Sequence, residues 1–220
     1  MRLTRNRRKP RLLVTAGPTR EKIDPVRFIS NYSTGSFGYE IAKEAAARGS
    51  VVTLVSGPTA LKVPSGIRFI GVESALDMKR AVAKEFPKAD CVIMAAAVSD
   101  WRARYRMAKK MKRGSHKFTL ELVENPDILA GLGRRKGKRM LVGFALETEA
   151  RLAKSAFRKL KEKNLDFIIA NRHTTGSAAF GGVKGGILIL DRFGNRWKIA
   201  RHTKRELAKI ILDKVLRRKI

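Results

Sequence analysis

The sequence predicts an α/β fold: a doubly wound, mostly parallel, Rossmann-like sheet with helices on both faces. Three observations carry this expectation. Short apolar runs alternate with stretches of helical periodicity along nearly the whole chain, the signature of βα units. One run, DCVIMAAAV (90–98), is apolar without alternation, as a strand covered on both faces must be. Near the C-terminus, GGILILDRFGNRWKIA (185–200) reads instead as two short strands around an FGN turn, which adds an antiparallel edge.

The elements follow in order. RLLVTAG (11–17) is the first strand, and GYEIAKEAAARG (38–49) is a helix with apolar Ile41, Ala42, Ala45 and Ala46 and a terminal glycine. VVTLVSG (51–57) and IRFIGV (67–72) are strands, and SALDMKRAVAKEF (74–86) is a helix with Ser74 placed to cap it. After the strand at 90–98, NPDILAGLG (125–133) opens a short helix with proline in its first turn. RMLVGFAL (139–146) is a strand, EARLAKSAFRKLKEKN (149–164) a helix and LDFIIAN (165–171) a strand; an amphipathic helix over 203–217 follows the hairpin. No repeat or linker divides the chain, so residues 1–220 are expected to form one domain, with a basic tail at 1–10. The segment 101–123 breaks the βα rhythm and ends in the alternating FTLELVE; it reads as an inserted flap or dimer arm.

Composition narrows the function classes. No apolar run is long enough to span a bilayer, and no apolar region of signal-peptide length follows the basic start. Cys91 is the only cysteine and fits a buried small apolar residue in a reducing, cytoplasmic setting. His116, His173 and His202 lack metal-ligand spacing. The charge is the outlier, with 49 Lys and Arg against 19 Asp and Glu, a formal +30. The excess is clustered in 101–117, 134–139 and 201–219. Such a surface attracts anionic substrates and polyanions; the excess reads either as non-specific affinity for nucleic acid or as charge that is merely solvated, and no nucleic-acid-binding motif is present.

In this fold class ligands bind beyond the carboxyl ends of the strands. The loop after the first strand runs about nineteen residues, from Gly17 to Gly35, a length that usually signals function. It lacks G-x-G-x-x-G; TGSFG is a weak dinucleotide fingerprint but a fair site for phosphate or acyl-phosphate. Asn31 is suited to holding a carbonyl or carboxylate, or else bonds local backbone. Arg27 is a carboxylate or phosphate clamp, or else an ion-pair partner of Asp24. Asp100, after AAAVSDW, suits a metal ion, a ribose hydroxyl or a turn. Lys110 and Lys112 suit a phosphate. Phe144 in GFALE offers a stacking face or core packing, and Lys159 and Lys163, one helical turn apart, bracket a triphosphate or form a solvated face.

Taken together, VTAGPTREKIDPVRFISNYSTGSFGYEIA, MAAAVSDW, KMK, NPDIL, GFALE, KLKEKNLDFIIAN and the late GG hairpin resemble the phosphopantothenoylcysteine synthetase family, in a free-standing form without the fused flavin-dependent decarboxylase. The resemblance spans roughly residues 11–218. It implies a ligase of coenzyme A biosynthesis that joins 4′-phosphopantothenate to L-cysteine through an acyl-cytidylate, with CTP favoured over ATP, Mg²⁺ accompanying the nucleotide, no flavin, and a homodimer with flap contacts. By the same resemblance Asn31 engages the acyl-nucleotide and Lys110 stabilises charge at the α-phosphate. Arg27, Ser33, Gly35, Ala96 and Ala97 then face the acyl substrate. Met94, Ala95, Ala96, Asp100, Lys110, Pro126, Asp127, Ile128, Leu129, Phe144, Lys159 and Lys163 face the nucleotide, with Asp100 the one metal-ligand candidate. Two rivals differ in class. An NAD(P)-dependent oxidoreductase would need a Tyr-x-x-x-Lys pair; Tyr39 and Lys43 have that spacing, but in the first helix, where no hydride acceptor is reached. A basic nucleic-acid-binding protein on the same scaffold would account for the charge.

Overall fold

The computed structural model describes residues 8–112, 114, 117–147, 152–172 and 184–217. The start of the tail (1–7), the flap tip at 113, 115 and 116, His173 and the predicted first helical residues 149–151 lie outside the described residues. In chain order the strands are β1 (Arg11–Ala16), β2 (Glu21–Lys22), β3 (Phe28–Ile29), β4 (Val51–Ser56), β5 (Arg68–Gly71), β6 (Cys91–Met94), β7 (Trp101–Ala103), β8 (Leu122–Glu124), β9 (Met140–Glu147), β10 (Phe167–Arg172), β11 (Lys184–Asp191) and β12 (Arg196–Thr203). The helices are α1 (Ser36–Ala47), α2 (Ala75–Glu85), α3 (Ile128–Gly133), α4 (Leu152–Glu162) and α5 (Lys204–Arg217).

One eight-stranded sheet has the order β12-β11-β10-β9-β6-β1-β4-β5. The six strands from β10 to β5 are parallel, and β11 and β12 add the predicted antiparallel edge. The chain leaves β1 toward β4 on one side and returns to β6 on the other, so the winding reverses between β1 and β6. The carboxyl ends of those two strands form the crevice where such folds bind ligands.

The strand period of two sorts the core into two layers. Leu12, Val14, Ala16, Val52, Leu54, Cys91 and Ile93 face one side, under α1 and α5. Leu13, Val55, Val92, Met94 and Leu141 face the other, under α2, α3 and α4. Each fully buried aliphatic contributes about 1.5–3 kcal/mol, which is why these strands are apolar on both faces. Burial, together with the nearby Asp166 and Asp90 carboxylates, pushes the Cys91 thiol far up, as suits an inert apolar residue. Ser74 caps α2 as predicted: its hydroxyl accepts the Asp77 N–H, and Asp77 accepts the Ser74 N–H in return.

Several boundaries differ from the sequence expectation. The apolar run at 90–98 is a strand only over Cys91–Met94, because beyond it the chain peels away and meets β1's extension through a single Pro18–Ala97 bridge. Pro126 precedes α3 instead of lying in its first turn; Asp127 is the cap. The segment 101–123 is indeed outside the main sheet, but only Leu122–Glu124 of FTLELVE pairs, with β7. Each C-terminal hairpin strand is eight residues long.

Candidate active site

The long loop after β1 has structure of its own. β2 and β3 form a small antiparallel hairpin inside it, and the turn between them is organised by Asp24. That carboxylate is buried and accepts N–H bonds from Val26 and Arg27 at 2.7 Å each and from Met111 at 3.2 Å. Burial works against its ionisation, but the three backbone donors and the Arg27 guanidinium outweigh it and hold its pKa below the ordinary carboxylate value. Arg27 takes up the second of the two readings offered for it, the ion pair. It pairs with Asp24 at 3.5 Å, and it donates to the Met111 carbonyl at 3.0 Å. The same hairpin takes the Met107 N–H on the Ile23 carbonyl. The basic segment 107–112 is thereby laid along the long loop, bringing the Lys110 backbone beside Arg27. The Lys110 and Lys112 side chains are exposed and have no ion-pair partner among the described residues.

A second set of bonds ties the long loop to the loop after β6. The Asn31 amide donates to the Ala97 carbonyl at 2.7 Å, and its oxygen accepts the Ser33 N–H at 3.1 Å. The Ala97 carbonyl also accepts the Thr19 N–H, and its own N–H goes to the Gly17 carbonyl. Thr15 and Thr19 hydroxyls accept the Ala96 and Ser99 N–H groups. Ala97 therefore offers a substrate its methyl group rather than its backbone. Asn31 is half-buried, with one amide hydrogen and one oxygen lone pair left for a ligand.

The loop ends at Gly35, whose φ of 77° is a left-handed conformation that suits glycine, and no side chain caps α1 there. Gly38 lets α1 close onto β1: a Cβ at this position would lie 2.6 Å from the Ala16 Cβ and 2.7 Å from the Thr15 carbonyl. The helix start is lined by the Ser33, Thr34 and Ser36 hydroxyls. Lys204, the first residue of α5, donates to the Ser36 hydroxyl at 2.6 Å. It is half-buried without a carboxylate partner among the described residues, and burial alone lowers its pKa. Sequence reasoning missed Lys204. Its partner is 168 residues away, and nothing local marks it among so many lysines.

The remaining predicted positions gather along β6, β9 and α3. Asn125 donates through its side chain to the Ser99 carbonyl at 2.9 Å and through its backbone to the Asp100 carbonyl at 2.7 Å. These bonds set Pro126–Leu129 beside Asp100. Met94 pairs in register with Thr15 and Gly143, and Ala95 follows it toward the crevice. Asp127 accepts the Ala130 N–H and pairs with Lys163 at 2.8 Å. Burial opposes its ionisation, but Ala130 and Lys163 together lower its pKa. Phe144 packs against Phe37 with ring centroids 5.1 Å apart and planes at 66°, so one side of the ring belongs to the core. Lys159 lies on α4 one turn before Lys163, both half-exposed. Tyr39, of the Tyr-x-x-x-Lys spacing, is buried in α1 with its hydroxyl on Thr59.

No group of three His, Cys, Asp or Glu side chains is placed to hold a metal among the described residues. Asp100 is exposed and its carboxylate has no partner among them. A single exposed carboxylate of this kind can serve as one ligand of a Mg²⁺ whose remaining ligands are phosphates and waters. No described helix is long and apolar enough to cross a membrane.

Residues 8–218 match the family model described as DNA/pantothenate metabolism flavoprotein C-terminal domain. The chain belongs to this family. A coenzyme A biosynthesis bifunctional protein CoaBC of Bacillus subtilis is 41% identical over 205 residues, covering 93% of this chain and 50% of that protein. A cysteine/cysteine sulfinic acid decarboxylase of an unknown prokaryotic organism is 46% identical over 208 residues, covering 94% of the chain and 58% of that protein. The chain thus spans about half the length of the curated relatives it matches. A crystal structure of the C-terminal domain of a CoaBC protein superposes with a TM-score of 0.80 at 40% identity, covering 94% of this chain and 93% of that one. The fold of this flavoprotein-C-terminal-domain chain is accordingly the α/β sheet described above.

Proposed function

We propose that the domain is a phosphopantothenate–cysteine ligase acting in coenzyme A biosynthesis. A carboxylate oxygen of 4′-phosphopantothenate attacks the α-phosphorus of CTP, the bond to pyrophosphate breaks, and an acyl-cytidylate remains. The amine of L-cysteine then attacks the acyl carbon, CMP leaves, and the amine gives up a proton to form the amide. Neither step changes an oxidation state, so no flavin is required.

The observation that carries the reading is the Asn31–Ala97 bond. It fixes the acyl-handling loop against the loop after β6 at the point where the winding reverses. Asn31 there offers an N–H and an oxygen but no nucleophile, which suits a reactive acyl-phosphate. Arg27, Lys110 and Lys204 supply positive charge around that point, where negative charge gathers in a displacement at phosphorus. Mg²⁺ bound with the nucleotide would neutralise phosphate charge, with Asp100 as the protein ligand. The Pro126–Leu129 segment, Phe144, Lys159 and Lys163 line the nucleotide side. Exposed Val26, Phe28, Tyr105, Phe118 and Leu122 on the hairpin and flap suit a homodimer contact.

The test supplies CTP or ATP, phosphopantothenate, cysteine and Mg²⁺, and measures pyrophosphate and phosphopantothenoylcysteine. Product with CTP is expected; no pyrophosphate with either nucleotide refutes the assignment.

A further inference from the structure

The ligase reading leaves the +30 charge unexplained, and the structure shows where part of it concentrates. At the amino ends of β1, β6 and β9 lies a cleft of about 780 Å³, lined by Arg8, Arg11, Pro87, Lys88, Ala89, Asp90, Lys138 and Arg139. β1 runs from this cleft at Arg11 to the crevice at Ala16, so the two sites are separated by about 17 Å of strand.

The cleft's walls are held by internal pairs. Arg8 pairs with Asp90 at 2.5 Å, and Lys88 with Glu85 at 3.1 Å. The Arg139 guanidinium sits 4.8 Å from the Phe86 ring centroid and donates to the Phe86 and Pro87 carbonyls at 3.0 and 3.1 Å. The single lining acid, Asp90, also accepts the Arg11 N–H. Its charge is therefore already met by Arg8. Of the other lining cations, Arg11 and Lys138 are exposed and have no carboxylate partner among the described residues, and neither do Lys9, Arg134 and Arg135, exposed cations on the adjoining stretches of chain. Three of them share the one turn between α3 and β9.

We propose that this cleft binds the backbone of a single-stranded nucleic acid, with phosphates on the unpaired cations and a base against the Arg139 guanidinium, which buried Phe86 backs from the core side. The reasons are physical. Two uncompensated cations in one concavity, with three more on the adjoining stretches of chain, call for a partner with closely repeated negative charge. Arginine held against an aromatic ring is a ready stacking surface for an unpaired base. Arg11 and Lys138 lie inside a cleft, which admits a bent single strand, whereas a duplex would bridge its rim.

The test uses the full chain and fluorescence anisotropy with a labelled single-stranded RNA, the matching single-stranded DNA and a duplex, from about 0.05 to 0.2 M salt. One variant replaces Lys9, Arg11, Arg135 and Lys138 with alanine. A control replaces Lys43, Lys79, Arg196 and Lys198, exposed cations elsewhere on the surface. Each lost phosphate contact to a single strand removes about 0.7 from the slope of log K against log salt, so the cleft variant should lose about 3 from it. The control should keep its slope, and both variants should keep pyrophosphate release. If the cleft variant melts early, Arg135→Glu/Lys138→Glu, confined to an exposed turn, replaces it. Equal slope loss in the two variants would show diffuse attraction and overturn the proposal. So would duplex binding as tight as single-strand binding, or tighter binding to anionic lipid vesicles. RNA and DNA of equal affinity support backbone recognition; a preference for RNA adds contacts to the 2′-hydroxyl.

Discussion

Replacing Asn31 with aspartate exchanges an amide NH₂ for an oxygen and reverses one contact. In the native chain the amide nitrogen stands 2.7 Å from the Ala97 carbonyl oxygen, while the side-chain oxygen accepts the Ser33 N–H at 3.1 Å. Asn31→Asp keeps the second contact and converts the first into two oxygens facing each other. The lost bond costs about 1 kcal/mol and the unfavourable contact brings the total to about 1–3 kcal/mol, reduced because the site is half-solvated. The loops would separate to relieve it, and a displacement near 1 Å at a reacting group costs about 100-fold in rate. The measurement separates the half-reactions: pyrophosphate release with CTP and phosphopantothenate, then amide formation with cysteine. Nucleotidyl transfer should survive better than the completed amide, because the added charge opposes the acyl-nucleotide held there. Acid should restore part of the activity, since the introduced carboxyl group, once protonated, can again donate to the Ala97 carbonyl. Its folded pKa is therefore raised, and the rescuing contact is present below the ordinary value near about 3.9 and lost as pH rises through the folded value. Asn31→Ala has no such proton. If the aspartate and alanine variants share one pH profile, or if both half-reactions fall equally, the role assigned to Asn31 is wrong.

Gly38→Ala should destabilise the chain in urea by up to about 2 kcal/mol, because overpacking of about 1–3 kcal/mol against Ala16 and Thr15 exceeds the helix-propensity gain of about 1 kcal/mol; an unchanged midpoint would deny the close approach. Lys204→Met should raise Tm at neutral pH while lowering kcat/KM. The pKa of Lys204 is depressed by burial, so its charge costs stability below the folded value, and the variant's advantage should fade toward pH of about 10.4. A lower Tm at neutral pH, or unchanged kcat/KM, would refute this. Asp24→Asn should flatten the acid limb of the stability profile. The depressed carboxylate stabilises fully above the ordinary value near about 3.9 and stops doing so as pH falls through its folded value. Thermal melts across acid pH read this directly, and a variant limb identical to wild type would show that Asp24 does not hold the hairpin to the flap segment.

The apolar run at 90–98 reads as a buried parallel strand from its composition alone, and its strand, Cys91–Met94, is central in the sheet. Ser74 was legible as a cap because capping is decided within four residues. The resemblance carried by the SNYSTG, MAAAVSDW and NPDIL motifs pointed to the crevice for the same reason, since each motif is one short contiguous stretch of chain. Local sequence could not reveal that Asp24 gathers donors from both its own turn and Met111. Nor could it show that Lys163 meets the cap of α3, or that one side of Phe144 is taken by Phe37.

Periodicity, capping and turn chemistry act over a few residues. The order of strands and helices, the two-faced burial of the sheet and the loops in which chemistry sits therefore follow from the primary structure alone. Bonds between loops depend on which strands lie side by side, and the reversal between β1 and β6 sets that. It took the folded chain to tie Asn31 to Ala97 and to bring Lys204 to the start of α1. The same folding brings Arg11 and Lys138, far apart in the chain, into one cleft at the far end of the sheet.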